Sequence, residues 1–198
     1  EGGVRQEVDV DGVWKGMALE EETLYVLVGQ KEKIETISRG ERKKPGWPWR
    51  GLGKGYESEY AWGFGRTLFA MDLKQREINW IYRSEEPIDS RALCLAEGRI
   101  YVYSHQKYLA SVDASNGQEL WRTTDSKLHA AIAEHDRAQT ASKGFASSTY
   151  VKANDKGVFF AGPQRTRRVA VSAEDGTLMW EYPPGNFQIG RASCRERV

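Results

Sequence analysis

Cysteine is nearly missing from this 198-residue chain: there are two, Cys94 and Cys194. So sparse a set excludes a disulfide-dense framework, and a packed core must hold the chain together. Long apolar runs are missing too. No stretch approaches the ~18 residues of a membrane-spanning helix. Charge of one sign is not in excess, with 29 Lys and Arg against 28 Asp and Glu. That balance argues against a nucleic-acid-binding surface, which needs a concentrated basic field. Catalytic signatures are absent as well. The chain has no HExxH pair, phosphate-binding glycine loop or dinucleotide fingerprint, and no Ser/His/Asp order to follow.

What is present is a repeat. Asp72 precedes Trp80, Asp113 precedes Trp121 and Ser172 precedes Trp180, each by eight residues. The segments read LFAMDLKQREINW, LASVDASNGQELW and VAVSAEDGTLMW. Upstream of each, an aromatic-led apolar run ends in Gln at a constant offset: Tyr25 to Gln30, Tyr101 to Gln106, Phe159 to Gln164. A fixed period must be read before any other fold signal.

Each unit reads as short strands with turns between them. In the second, Arg91–Ala96 is an apolar run and Glu97-Gly98 a turn. RIYVYS and Tyr108–Asp113 are strands rich in β-branched and aromatic residues. A further turn at 114–117 leads into Gln118–Thr123. The third unit repeats the plan, with a turn at Asp155-Lys156-Gly157. Four antiparallel strands in about 40 residues is the pattern of a propeller blade. The Asp ends a third strand, where its carboxylate can accept turn amides. Gly117 and Gly176 stand where the turn wants a left-handed residue, with Arg76 there in the first copy. The Trp lies on the outer strand and can bury area against the next blade.

These segments resemble the repeat of pyrroloquinoline-quinone-type β-propellers, in which alanine, any residue and Asp are followed by Thr-Gly and a Trp. The resemblance covers roughly residues 12 to 183. It implies an all-β, partial β-propeller of about three four-stranded blades: 12–84 with an insertion at 31–65, 88–123, and 148–183 after a helical insertion at 124–147. The superfamily includes quinone-dependent alcohol dehydrogenases and a scaffold propeller, an outer-membrane assembly lipoprotein, that binds no quinone. Fold alone does not choose between them. A closed propeller needs at least about four blades. The expectation is therefore a piece of a longer protein, with the missing blades as its first partners.

The final residues 188–198, QIGRASCRERV, back-translate into a stock short-read sequencing adapter and are expected to be non-native. Without Arg191, Arg195, Arg197 and Glu196 the formal net charge moves from +1 to −1. Cys94 then stands alone. It is expected to be a small buried residue on an inner strand.

Two insertions break the repeat. The first carries Trp47, Trp49, Tyr56, Tyr60, Trp62 and Phe64 among glycines, prolines and basic residues. It reads as a loop packed on a blade edge, or as a lid or protein-docking loop. The second reads as a short helix from Ser126. Ser126 or Asp125 would be its N-cap, and Leu128, Ile132 and Ala133 its apolar face. His129, His135 and Asp136 have poor spacing for a metal and are expected to be surface polar residues.

The resemblance implies quinone and Ca²⁺ on the channel axis for the dehydrogenases, with a catalytic Asp and often a pair of adjacent cysteines. Ca²⁺ needs carboxylate and amide oxygens. Asp89, Asn154 and Asp155 are candidates, but none falls in a motif of the family, and no adjacent cysteines exist. Asp89 and Arg91 are expected to form an inter-blade salt bridge, and the arginines of FAGPQRTRR to lie on a solvated loop. No catalytic residue is assigned, and the cofactor stays unknown. The expected function is a non-catalytic propeller scaffold or ligand- and protein-binding module of a bacterial protein, periplasmic or secreted. The alternatives are a fragment of a quinone- and Ca²⁺-dependent dehydrogenase, or the propeller domain of a larger multidomain enzyme.

Overall fold

The computed structural model describes residues 10, 12–30, 63–133, 149–161 and 167–182. Twelve strands form three four-stranded antiparallel sheets, each an up-and-down meander. Blade 1 contains β1 (Val13–Glu20), β2 (Thr23–Gly29), β3 (Phe64–Asp72) and β4 (Glu77–Asp89). Blade 2 contains β5 (Cys94–Ala96), β6 (Arg99–Ser104), β7 (Tyr108–Asp113) and β8 (Glu119–Thr123). Helix α1 (Ser126–Ala133) follows. Blade 3 contains β9 (Val151–Ala153), β10 (Gly157–Phe160), β11 (Arg168–Ser172) and β12 (Leu178–Tyr182).

The alternation of side chains explains why the two central strands of blade 2, β6 and β7, are buried along nearly their whole length. On β6, Ile100 and Val102 join the core shared with blade 1, and Tyr101 and Tyr103 join the core shared with blade 3. Successive residues of a strand point to opposite faces, so a sheet buried on both faces has a continuous apolar run. The outward faces of the end blades differ. Val13, Trp14, Met17 and Leu19 on β1 are exposed, as is every residue of β12.

Several boundaries differ from the sequence-based expectation. The insertion was expected to reach 65, but Phe64 and Gly65 already belong to β3, and Phe64 is buried. Trp47, Trp49, Tyr56, Tyr60 and Trp62 lie outside the described residues. Strand β4 runs on to Asp89, past the expected blade end. Arg91–Ala96 is not one strand. Asp89 accepts a hydrogen bond from the Arg91 amide, and that closes a 3-10 turn at Ser90–Ala92 before β5 starts. Cys94 is half-buried rather than fully buried.

Helix α1 begins where expected. Asp125 caps it, its Oδ1 accepting from the Lys127 amide at 2.9 Å. Leu128 and Ile132 are buried in the core between blades 2 and 3. His129 corrects the surface assignment: it is only 4% exposed. It sits on the apolar side of a helix that packs into an inter-blade groove, one residue from Leu128. His135 and Asp136 lie outside the described residues.

Candidate functional site

The most developed structure in the molecule is the seam between neighbouring blades, and the repeated residues build it. Each third strand ends in a side chain that closes its turn. Asp72 Oδ1 accepts from the amides of Lys74 (2.7 Å) and Gln75 (2.8 Å). Asp113 Oδ1 accepts from the Ser115 amide (2.8 Å) and hydroxyl (2.6 Å). These Ser115 bonds, the hydroxyl first, hold the Asp113 carboxyl below the usual carboxylate range. Ser172 Oγ accepts from the Glu174 amide more loosely, at 3.2 Å. A shorter neutral side chain thus performs the same closure less well.

The turn then passes through the left-handed region at Arg76, Gly117 and Gly176, with φ of 60°, 74° and 76°. Glycine takes that conformation freely, and a side chain costs about 1–2 kcal/mol. Arg76→Gly is therefore expected to raise stability by about 0.5–1 kcal/mol, once the greater freedom of glycine in the unfolded chain is subtracted. The readout is a higher urea midpoint at unchanged slope. A lower midpoint would show that the Arg76 side chain makes a contact that outweighs its backbone strain.

The fourth strand places the indole. In all three blades the pairing slips by one residue just before the Trp: Ala70 faces Trp80 while Met71 faces Ile78, and the same step occurs at Ser111/Val112 and Ala170/Val171. The extra residues are Asn79, Leu120 and Met179. Such a bulge twists the strand and re-aims the side chain beside it. Each indole then meets the aromatic that leads the second strand of its own blade. Ring centroids are 5.9 Å apart for Tyr25–Trp80, 6.1 Å for Tyr101–Trp121 and 6.3 Å for Phe159–Trp180, all tilted near 40°.

From there two of the indoles reach the next blade. Trp80 Nε1 donates to the Ala114 carbonyl at 2.9 Å, and Trp121 Nε1 to the Ala173 carbonyl at 2.9 Å. A second donor from the same blade joins each carbonyl: Tyr25 OH at 3.3 Å on Ala114, Arg99 Nη1 at 2.6 Å on Ala173. The ring faces cover Gly117 and Gly176. A Cβ on Gly117 would lie 2.6 Å from Trp80 Cε3, and one on Gly176 2.7 Å from Trp121 Cε3. These glycines are thus required twice, for φ and for the indole. Trp180 stays 43% exposed.

Two polar clusters reinforce the seams. Asp89 and Arg91 form a buried ion pair, Nε donating to Oδ1 at 2.9 Å and Nη2 to Oδ2. Tyr150 from blade 3 donates its hydroxyl to Asp89 Oδ2 at 3.0 Å, and its ring lies 5.2 Å from the Arg91 guanidinium. The sequence placed Asp89 and Arg91 together but gave no sign of Tyr150. The second cluster joins β4 to β7 and β8. Tyr82 OH donates to Glu119 Oε2 at 2.8 Å, Arg122 Nη2 donates to Tyr82 OH at 2.9 Å, and Arg122 stacks 4.0 Å from the Tyr108 ring. Burial first, then the neighbouring Tyr108 and Glu119, pushes the Tyr82 hydroxyl well above the usual tyrosine value. Burial would raise Glu119 as well, but hydrogen bonds from Arg122 and Tyr82 outweigh it and leave the carboxyl below its ordinary value.

The oxygens proposed for Ca²⁺ do not fit such a site. Both Asp89 oxygens are engaged by Arg91 and Tyr150. Asn154 Oδ1 accepts from the amides of Lys156 (3.0 Å) and Gly157 (2.9 Å), closing the β9–β10 turn. Asp155 is exposed on that same turn. No group of three or more His, Cys, Asp or Glu suited to a metal occurs among the described residues. In the FAGPQRTRR segment, Arg167 pairs with Glu181 at 2.8 Å, and Arg165 lies outside the described residues. A cleft of 270 Å³ opens between blades 1 and 2 beside Glu20, Glu21, Tyr25, Asn79 and Ser115. Among the described residues, no helix is long and apolar enough to cross a membrane.

Three meander blades, joined Trp to turn, define the chain as a β-propeller assembly of the pyrroloquinoline-quinone-like repeat class. The family model described as outer membrane protein assembly factor BamB matches residues 60–194, and the chain belongs to that family. Among solved structures, a europium-containing methanol dehydrogenase is 16% identical over 86% of this chain and 25% of its own, with a TM-score of 0.47. BamB from Moraxella catarrhalis is 13% identical over 61% and 33%, with a TM-score of 0.41. The computationally designed Ika4 protein is 8% identical over 90% and 78%, with a TM-score of 0.51, a likeness of fold alone. The chain spans about a quarter of the length of the first and a third of the second. None of the curated proteins matches it.

Proposed function

We propose that the chain is propeller scaffold, part of an exported bacterial protein whose work is to bind another protein rather than to catalyse. One observation carries the reading. The charged groups at the seams are engaged in joining blades: the buried Asp89 and Arg91 with Tyr150, and the partly exposed Glu119 and Arg122 with Tyr82. Of the candidate Ca²⁺ oxygens, those of Asp89 are thereby occupied by structural donors, and Asn154 Oδ1 is taken up by its own turn. The family's description as an outer membrane assembly factor supports both export and protein binding. The aromatic insertion expected as a partner loop at 31–65 lies for its greater part outside the described residues and stays a proposal.

The test is a titration of the full-length protein with pyrroloquinoline quinone and Ca²⁺, followed by absorption and by dye reduction with simple alcohols. The expected result is no change in the quinone spectrum and no alcohol-dependent reduction. A shifted quinone spectrum with alcohol-dependent turnover would overturn the scaffold reading.

A further inference from the structure

We infer that helix α1 is a pH-sensitive latch on the seam between blades 2 and 3, docked only while the His129 ring is neutral. The helix is held by Leu128, Ala131 and Ile132, all buried in the core that contains Tyr103, Tyr150 and Phe160. His129 lies in the same contact. Its ring stacks on Tyr103 with centroids 5.9 Å apart and an interplanar angle of 18°. Its Nε2 is 3.2 Å from the Thr123 carbonyl. A carbonyl only accepts, so in the neutral ring the proton sits on Nε2 and Nδ1 is bare. That Nδ1 is buried and has no hydrogen-bond partner among the described residues.

A neutral imidazole tolerates this arrangement at modest cost. Protonation does not, because it creates a charged N–H with no acceptor in an apolar wall. The surroundings give little relief. Tyr103 on β6 and Phe160 on β10 are uncharged. Asp125, before the helix, is the carboxylate that favours the charged ring. Lys127, on the helix itself, is a cation, and His105 meets Tyr103 edge-on with ring centroids 6.2 Å apart. Burial holds His129 below the ordinary histidine value against the smaller opposing pulls of the Thr123 carbonyl and Asp125.

The sign follows from linkage. A base whose pKa is depressed by docking binds more protons undocked. Docking is therefore at full strength above the ordinary value of about 6.5 and weakens as pH falls below it. At pH 5 the weakening cannot exceed about 30-fold, the share of charged over neutral imidazole in the free helix.

Hydrogen exchange tests this. The α1 amides are followed from pH 7.5 to 5.0 against those of β6 and β7, each corrected for intrinsic exchange. In the native chain the helix is expected to lose at least about threefold more protection than the strands, within the 30-fold limit. In His129→Phe, which keeps the stack and cannot titrate, the differential is expected to vanish. An unchanged differential in His129→Phe, or none in the native chain, would overturn the latch. If His129→Phe does not fold, the His129 ring resonances of the native chain decide. Protonation at or above the ordinary histidine value sinks the proposal, and protonation below it supports it.

Discussion

Asp89→Ala is expected to cost about 3–5 kcal/mol, as breaking a buried ion pair from one side generally does. The reason lies in what stays behind. Arg91 is 2% exposed, and its guanidinium would lose its carboxylate while still held away from water. The cost spreads over three blade segments. Asp89 ends β4, its Oδ1 shapes the turn into β5, and its Oδ2 receives Tyr150 at the start of blade 3. A domain of ordinary stability has only about 5–15 kcal/mol in hand, so this one change approaches unfolding. Urea denaturation gives the number as a midpoint shift at constant slope. A loss below about 1 kcal/mol would show that the pair is wetter than its burial implies. A second variant separates the cost of the stranded charge from the net worth of the pair. Asp89→Leu combined with Arg91→Met removes both charges, and is expected to recover most of the loss, because an uncharged pair leaves no stranded ion.

The legible and illegible parts of this chain divide along sequence distance. The stitch from Asp113 to Trp121 was readable because its chemistry is local: a carboxylate, a left-handed glycine and a bulky outer residue within one hairpin. The helix was readable for the same reason, from Asp125, Leu128 and Ile132. What decided the seams was not local. Tyr150 reaches Asp89 across 61 residues, and no spacing rule links a Tyr to an Asp-x-Arg that far away. The bulges at Asn79, Leu120 and Met179 were hidden inside the constant spacing, since counting residues cannot say which one is unpaired. His129 was misread because its burial comes from a distant strand: its ring stacks on Tyr103 of β6, which in turn meets Phe160 of blade 3. A histidine between Leu128 and Ile132 on the helix surface was the one available signal.

The three repeated tryptophans are expected to respond unequally to alanine, in the order Trp80, Trp121, Trp180. Trp80 is 9% exposed, donates to Ala114 and covers Gly117, so its removal leaves a cavity and should cost about 3–5 kcal/mol. Trp121 makes the same contacts but is only half-buried, and should cost about 2–3 kcal/mol. Trp180 is 43% exposed and touches Phe159 of its own blade, and should cost under about 1 kcal/mol. Equal losses at all three positions would show that packing within a blade, not docking between blades, is what the indole contributes. The receiving side supplies an independent measurement. Gly117→Ala puts a methyl where Trp80 lies and forces a side chain into φ of 74°. In the native chain both penalties apply. In the Trp80→Ala background only the backbone penalty of about 1–2 kcal/mol is left. The two changes should therefore be non-additive by about 1–2 kcal/mol in the double-mutant cycle, the double variant being less damaged than the sum of the singles. Strict additivity would mean that the indole moves aside without loss, and that the glycine is kept for its backbone conformation alone.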